Sequence, residues 1–304
     1  MHRPLCVRAA TFGLAATLIT SCAAYPPARA VPKRDAYTPP VALSPTPTQA
    51  AAIPPIPPPP IVGQSAIVVD VASGRVLFAK NADLPREVAS TQKIITALCI
   101  LDAGSIDQPV TIQAEDASCE PTKLNLKPGE VYSRRELLKV LMVKSANDVA
   151  RALARDVGGD QASFANLMNR KSASIGMRHS NFLNPNGLPL PGQFSTARDM
   201  AIAARAAYRS PLLRSYAATK AFTFRFNDGH TREIENTNRL LKSLPYCDGL
   251  KTGTTNAAGR CLVASGALNG RAVIVVVLKS NSPNIWADST KLLRWALERP
   301  VAGA

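Results

Sequence analysis

Ser90-Thr91-Gln92-Lys93 sets a hydroxyl and an amine three residues apart, so on a helix both stand on one face of a single turn. It is the only Ser-x-x-Lys in the chain. A serine hydroxyl is a poor nucleophile near neutral pH and needs a base within hydrogen-bond reach. Only His179 and His230 lie beyond the N-terminal segment, and neither sits in an H-E-x-x-H setting, which weakens both a Ser-His-Asp site and a His-rich zinc site. A lysine one turn along can serve instead, provided it is neutral. Burial lowers its pKa, and a second cation such as Lys251 lowers it further. At a helix N-terminus Ser90 also meets a field that favours a developing anion.

Two more clusters follow in order. Ser145-Ala146-Asn147 lies 52 residues beyond Lys93, and Lys251-Thr252-Gly253-Thr254 is the only Lys-Thr-Gly in the chain. Singly each is weak: Ser90 reads as a helix cap, Lys93 as a snorkelling amine, and Lys-Thr-Gly as strand plus turn. Ser282-Pro283-Asn284 also fits the second pattern. Together, in this order and each on a suitable element, they carry the argument.

The elements that must position them can be read from periodicity and turn chemistry. Ser65–Asp70 and 75–79 predict strands joined at Ser73-Gly74. Residues 90–102 predict a helix apolar all round, hence buried. Ser133-Arg134-Arg135-Glu136 is a capping box opening a helix through Val143. Further helices are expected at about 148–156, 161–175, 196–209 and 288–298, with strands at 250–254, 261–267 and 271–278. The last two join at Asn269-Gly270, a type I′ hairpin signal. Strands at both ends with helices between predict a mixed α/β (α+β) fold: a mostly antiparallel sheet flanked by helices, with an inserted helical lobe.

The 304 residues, 46% hydrophobic, suffice for one full core. Arg3 and Arg8 precede an apolar run over 9–20 that ends in Ile19-Thr20-Ser21-Cys22, the pattern of a lipoprotein signal peptide (residues 1–21) with Cys22 as the lipidated residue. Ordinary cleavage after Ala28-Arg29-Ala30 is the alternative. Residues 22–60 are Pro-rich and nearly free of large apolar side chains, a spacer and not a core. A ligand for a proline-recognition domain is the other reading of that stretch. The folded unit is expected at 61–300, with a tail at 301–304. Its surroundings would be the periplasm or cell envelope, held to a bacterial membrane.

Without Arg3 and Arg8 the formal charge of +15 becomes +13. No dense basic run with interleaved aromatics suggests nucleic acid, so the charge fits an anionic cell envelope or simply solubility. Cys99, Cys119, Cys247 and Cys261 remain after the N-terminal segment, enough for two disulfides. Cys247 and Cys261 flank a predicted hairpin and can lie opposite one another. Cys99–Cys119 then follows by elimination, with a free buried Cys99 thiol as the alternative.

With its three clusters and their surroundings, the sequence resembles the D-alanyl-D-alanine carboxypeptidases of the low-molecular-mass penicillin-binding proteins. The likeness spans about 63–299. It includes Leu126-Lys-Pro-Gly129, Lys144-Ser-Ala-Asn-Asp148, Asn184-Pro-Asn-Gly-Leu188, Phe194-Ser-Thr-Ala-Arg-Asp199, Asn236-Thr-Asn238 and Asp248-Gly-Leu-Lys-Thr-Gly253. It implies the fold shared by serine β-lactamases and penicillin-binding transpeptidases. It implies Ser90 as the acylated nucleophile, Lys93 as its base, and the Ser90 and Thr254 backbone N–H groups as the oxyanion hole. Ser145 would relay a proton to the leaving nitrogen and Asn147 would orient the substrate amide. Lys251, with Thr252, Gly253 and Thr254, would hold the terminal carboxylate.

The implied partners are peptidoglycan stem peptides and β-lactam antibiotics. No metal, cofactor or nucleic acid is implied. The alternatives are a DD-endopeptidase or weak β-lactamase using the same site, or a non-catalytic penicillin-binding wall sensor. A class A β-lactamase needs a Glu to activate the deacylating water, whereas Ser180-Asn181-Phe182-Leu183-Asn184 begins with Ser. Between Asp148 and Asp248 only Glu233 and Glu235 occur, in another context. Asn186 and Gln92 also depart from common family residues, where His and Thr or Met are usual.

Overall fold

Residues Val273–Leu278 form an unbroken apolar run because both faces of their strand are covered. The computed structural model describes residues 56–298. Its central sheet takes β1 (Ser65–Asp70) and β2 (Val76–Lys80). Two short ribbons come next in sequence: β3 (Pro109–Thr111) with β4 (Val131–Ser133), and β5 (Ala221–Arg225) with β6 (Thr231–Glu235). The sheet is completed by β7 (Cys247–Thr255), β8 (Gly259–Leu268) and β9 (Arg271–Ser280). The order is β2-β1-β9-β8-β7, every neighbouring pair antiparallel.

The helices are α1 (Lys93–Asp102), α2 (Ala114–Ala117), α3 (Arg134–Val143), α4 (Asn147–Gly158), α5 (Gln161–Ser174), α6 (Ala197–Tyr208), α7 (Pro211–Ala218), α8 (Leu240–Ser243) and α9 (Asn284–Leu297). Side chains alternate across the sheet. Ala66, Val68, Val275 and Val277 face Ile285, Leu292 and Leu293 of α9. Ile67, Val69, Ile274 and Val276 face the larger core built with α1 and α3–α6. Lys93 to Ile100 are all buried, so α1 is the axis of the helical lobe and carries its first residue into the interior.

The antiparallel sheet with an inserted helical lobe matches the expectation. Ser133 and Glu136 form the predicted capping box, Ser133 N donating to Glu136 Oε2 at 2.8 Å and Glu136 N to Ser133 Oγ at 3.2 Å. Asn269 (φ 50°) and Gly270 (φ 74°) make the predicted left-handed hairpin turn. The ribbons β3–β4 and β5–β6 and helix α7 were not foreseen. Residues 1–21, Cys22 and all but the last five residues of the 22–60 spacer lie outside the described residues, as do 299–304. No described helix is long and apolar enough to cross a membrane.

Both expected disulfides are corrected: Cys99, Cys119, Cys247 and Cys261 are four free, buried thiols. Cys247 opens β7 opposite Gly266, while Cys261 stands opposite Gly253 near the turn, so the two lie at opposite ends of the ladder. They also face different cores, Cys247 the one under α9 and Cys261 the other. The hairpin places the strands side by side, but its register and pleat keep these thiols apart. Cys99 is almost two turns into α1, and Cys119 follows α2 near the other end of that helix, beside Lys93.

Candidate active site

Ser90 sits in a 3-10 turn, Ala89–Gln92, that leads into α1. Ala89 has φ 49°, a conformation costly for any side chain, and the turn is buttressed on two sides. Thr91 Oγ1 donates to Val88 O at 2.6 Å. Strand β7 comes so close that a Cβ on Gly253 would lie 2.9 Å from Thr91 N and 3.0 Å from Ser90 N. From the other side a Cβ on Gly187 would meet Ala89 O at 2.2 Å. Both glycines are there because backbone must approach the serine turn.

Lys93 is fully buried and follows that turn directly. Its Nζ lies 2.9 Å from Ser90 Oγ and donates to Asn147 Oδ1 at 2.8 Å and Asn186 O at 2.6 Å. Asn147 begins α4; its backbone N–H donates to Thr122 O at 2.7 Å and its Nδ2 to Glu120 O at 3.3 Å. Next to it, buried Asp148 accepts from the backbone N–H groups of Leu124, Asn125 and Leu126, tying that loop to the helix start. Asn186 is placed by Asn184, whose Oδ1 accepts from Asn186 N at 3.2 Å and Gly187 N at 2.7 Å. Gln92 Nε2 and Thr96 Oγ1 of the serine helix hold the same loop through the carbonyls of Asn184 and Pro185.

The remaining expected residues converge on the same place. Ser145 (φ 66°) turns the chain between α3 and α4 and lines the cleft beside Ser90, without a hydrogen bond to Ser90 or Lys93. Lys251 is 1% exposed and donates to Thr252 O at 3.0 Å. Thr252 and Thr237 share a hydrogen bond of 2.7 Å, and Arg260 donates to Thr254 Oγ1 at 3.2 Å. Ser90, Ser145, Thr252, Gly253 and Thr254 line one cavity of about 690 Å³; Ser90, Asn147 and Thr254 line a second of about 430 Å³.

Burial pushes the Lys93 amine well below the usual lysine range, and the nearby Lys251 charge adds to that, against the opposing pull of Cys119 and Asp148. Burial also pushes Lys251 down to about 7. A neutral Lys93 has two N–H bonds and one lone pair. With Asn147 Oδ1 and Asn186 O taking the two N–H groups, the lone pair is left facing Ser90 Oγ, the arrangement a general base requires.

Sequence reasoning missed the Asn186 carbonyl, Thr237 and Arg260. A backbone acceptor leaves no residue-type signal; the available one was Asn186-Gly187, whose turn chemistry marks a tight backbone approach. Ser180 is engaged elsewhere, donating to Asp199 Oδ2 at 2.7 Å. Glu235 does line the larger cavity, but exposed and paired with Lys242 at 3.3 Å.

A sequence profile described as D-alanyl-D-alanine carboxypeptidase matches residues 51–282. The D-alanyl-D-alanine carboxypeptidase DacF of Bacillus subtilis is 34% identical over 242 residues, 78% of this chain. This chain spans only 62% of that protein's length. The D-alanyl-D-alanine endopeptidase of Pseudomonas aeruginosa is 34% identical over 237 residues, 76% of each chain. The crystal structure of a D-alanyl-D-alanine carboxypeptidase from Mycobacterium tuberculosis superposes with a TM-score of 0.77 at 30% identity, covering 82% of this chain and 96% of that one. With the profile running from ahead of β1 to just short of α9, the chain belongs to the D-alanyl-D-alanine carboxypeptidase family.

Proposed function

We propose that this protein is a serine DD-carboxypeptidase that removes the terminal D-alanine from peptidoglycan stem peptides, and that β-lactams acylate the same serine. The observation that carries the reading is the 2.9 Å approach of buried Lys93 Nζ to Ser90 Oγ, with both other Lys93 contacts fixed. Lys93 takes the hydroxyl proton as Oγ bonds to the carbonyl carbon of the penultimate D-alanine. The backbone N–H groups of Ser90 and Thr254 receive the developing oxyanion. The C–N bond breaks, and the proton passes through Ser145 to the departing amine. Asn147 orients the substrate amide; Lys251, Thr252 and Thr254 hold the terminal carboxylate, Gly253 allowing their strand to pass. Water then hydrolyses the Ser90 ester.

The setting belongs to the same proposal. A lipid on Cys22 and the proline-rich spacer would hold the domain at a bacterial envelope membrane, within reach of the wall; the apolar N-terminal run ending at Cys22 supports this. Labelled penicillin tests the reaction. The protein should carry one covalent adduct on Ser90 and release D-alanine from a synthetic pentapeptide, and Ser90→Ala should do neither. A folded Ser90→Ala protein that still labels removes the assignment.

A further inference from the structure

A second concavity, of about 480 Å³, lies where the end of α1 away from Ser90 meets α4 and α5. It shares no lining residue with the cleft beside Ser90. Its wall is apolar: Cys99 of α1 is buried, and Val157 of α4 and Leu167 of α5 are half-buried. Burial pushes the Cys99 thiol up to about 12, so at neutral pH the sulfur is an uncharged, weakly polar part of that wall. The volume lies within the range of roughly 300–1,000 Å³ that holds small-molecule ligands.

The charges at the mouth of this cavity do not cancel. Lys171 Nζ reaches Asp102 Oδ2 at 2.8 Å, and the two neutralise each other. Arg170, exposed beside them, has no acidic partner among the described residues. The mouth therefore presents one net positive charge over an apolar interior. A guanidinium offers two parallel N–H groups, a fork that fits a carboxylate. An apolar body ending in a single carboxylate satisfies wall and mouth together. A neutral amphiphile leaves the fork unmatched, and a cationic one is repelled by it.

We propose that this cavity binds a fatty acid, its acyl chain lying against Val157, Leu167 and Cys99 and its carboxylate held by Arg170. The proposal asks nothing of Ser90, Lys93 or Lys251, so it stands or falls apart from the peptidase reading.

Calorimetric titration of the full-length protein with sodium laurate, below the concentration at which it forms micelles, should show one site. Dodecyltrimethylammonium has a chain of the same length and the opposite charge, and should bind about tenfold more weakly or worse. Hexanoate keeps the carboxylate and loses half of the chain. It should bind about a hundredfold more weakly or worse, since each buried methylene adds affinity. Arg170→Gln changes an exposed side chain; with its fold checked by a thermal melt, it should shrink the preference for laurate over dodecyltrimethylammonium by about threefold or more. A diazirine-bearing analogue of laurate should photolabel the segments 99–103 and 167–174, as read by peptide mass spectrometry. Equal affinity for the two twelve-carbon amphiphiles, a preference unmoved in folded Arg170→Gln, or labelling confined to other segments overturns the site. So does a concentration-dependent dimer that laurate fails to dissociate and that blocks the labelling, because a second copy of the chain then covers the cavity.

Discussion

A side chain on Gly253 would stand 3.0 Å from the backbone nitrogen of Ser90, the N–H proposed for the oxyanion hole. Strand and serine turn are thus in backbone contact, and the spacing between the two proposed oxyanion donors depends on a missing methyl group. The same Cβ would meet Val88 O and Thr91 N at 2.9 Å, so no flexible side chain can yield to it.

Gly253→Ala should therefore separate β7 from the turn. Overpacking of this kind costs about 1–3 kcal/mol. Displacement near 1 Å at a reacting centre costs on the order of a hundredfold in rate. The penicillin acylation rate should fall by about that factor while the protein stays folded, which stopped-flow acylation and a thermal melt can check together. Acylation within a factor of three of the unmodified protein would show that the strand does not set the geometry.

Lys93→Arg keeps the positive charge and loses the base. A guanidinium does not deprotonate near neutrality, and its fork cannot reproduce one lone pair aimed at Ser90. Acylation should fall by about two to four orders of magnitude, the usual range for removing a general base. Near-normal acylation, measured by adduct mass against time, would take Lys93 out of that role.

The two clusters flanking this chemistry illustrate what sequence can and cannot convey. Ser90 and Lys93 were legible because helical periodicity fixes their separation. Lys251 to Thr254 were legible because Lys-Thr-Gly follows the other two clusters in order, at the end of an expected strand. The Asn186 carbonyl was not, since it acts through backbone and is aimed by a turn that pattern reading describes only as a turn. The cysteines failed for another reason. A hairpin was correctly expected near Cys247 and Cys261, but Cys261 stands opposite Gly253, six residues along β7 from Cys247, a register that residue types alone do not display. The ribbon β3–β4 also escaped, because strands of three residues carry too little periodicity.

The two buried lysines should leave a mark on stability. Lys251 titrates near 7 when folded and near 10.5 when unfolded, so between those values the unfolded chain holds a proton that the folded chain has released. Unfolding free energy should then rise with pH across that window, by at most about 1.4 kcal/mol per unit, and flatten below 7, where both states are charged. Lys93, shifted the same way, adds to the slope. Urea midpoints from pH 7 to 9.5 test this, with Lys251→Met expected to lose part of the rise. The same variant removes a cation that depresses Lys93, so its rising acylation limb should move to higher pH. A limb that stays in place would mean that the Lys251 charge does not bias Lys93.

The fate of the acyl-enzyme follows from what surrounds the ester. Hydrolysis needs a base and room for water. Beside Ser90 Oγ stand Lys93 Nζ and the Asn186 carbonyl, with Asn147 on the far side of the amine. Asp148 is committed to the 124–126 backbone, Ser180 to Asp199, and Glu235 to Lys242. Lys93 is then the group left to activate water once D-alanine has departed. Penicillin differs because its amine remains tethered in the opened ring and obstructs that approach. A penicillin adduct should persist for many minutes after free drug is removed, while a pentapeptide should yield no accumulating adduct at neutral pH. Intact-protein mass spectrometry over time measures both. Clearance of penicillin within seconds would mean that another base reaches the ester, and the site would then have to be read as a β-lactamase's.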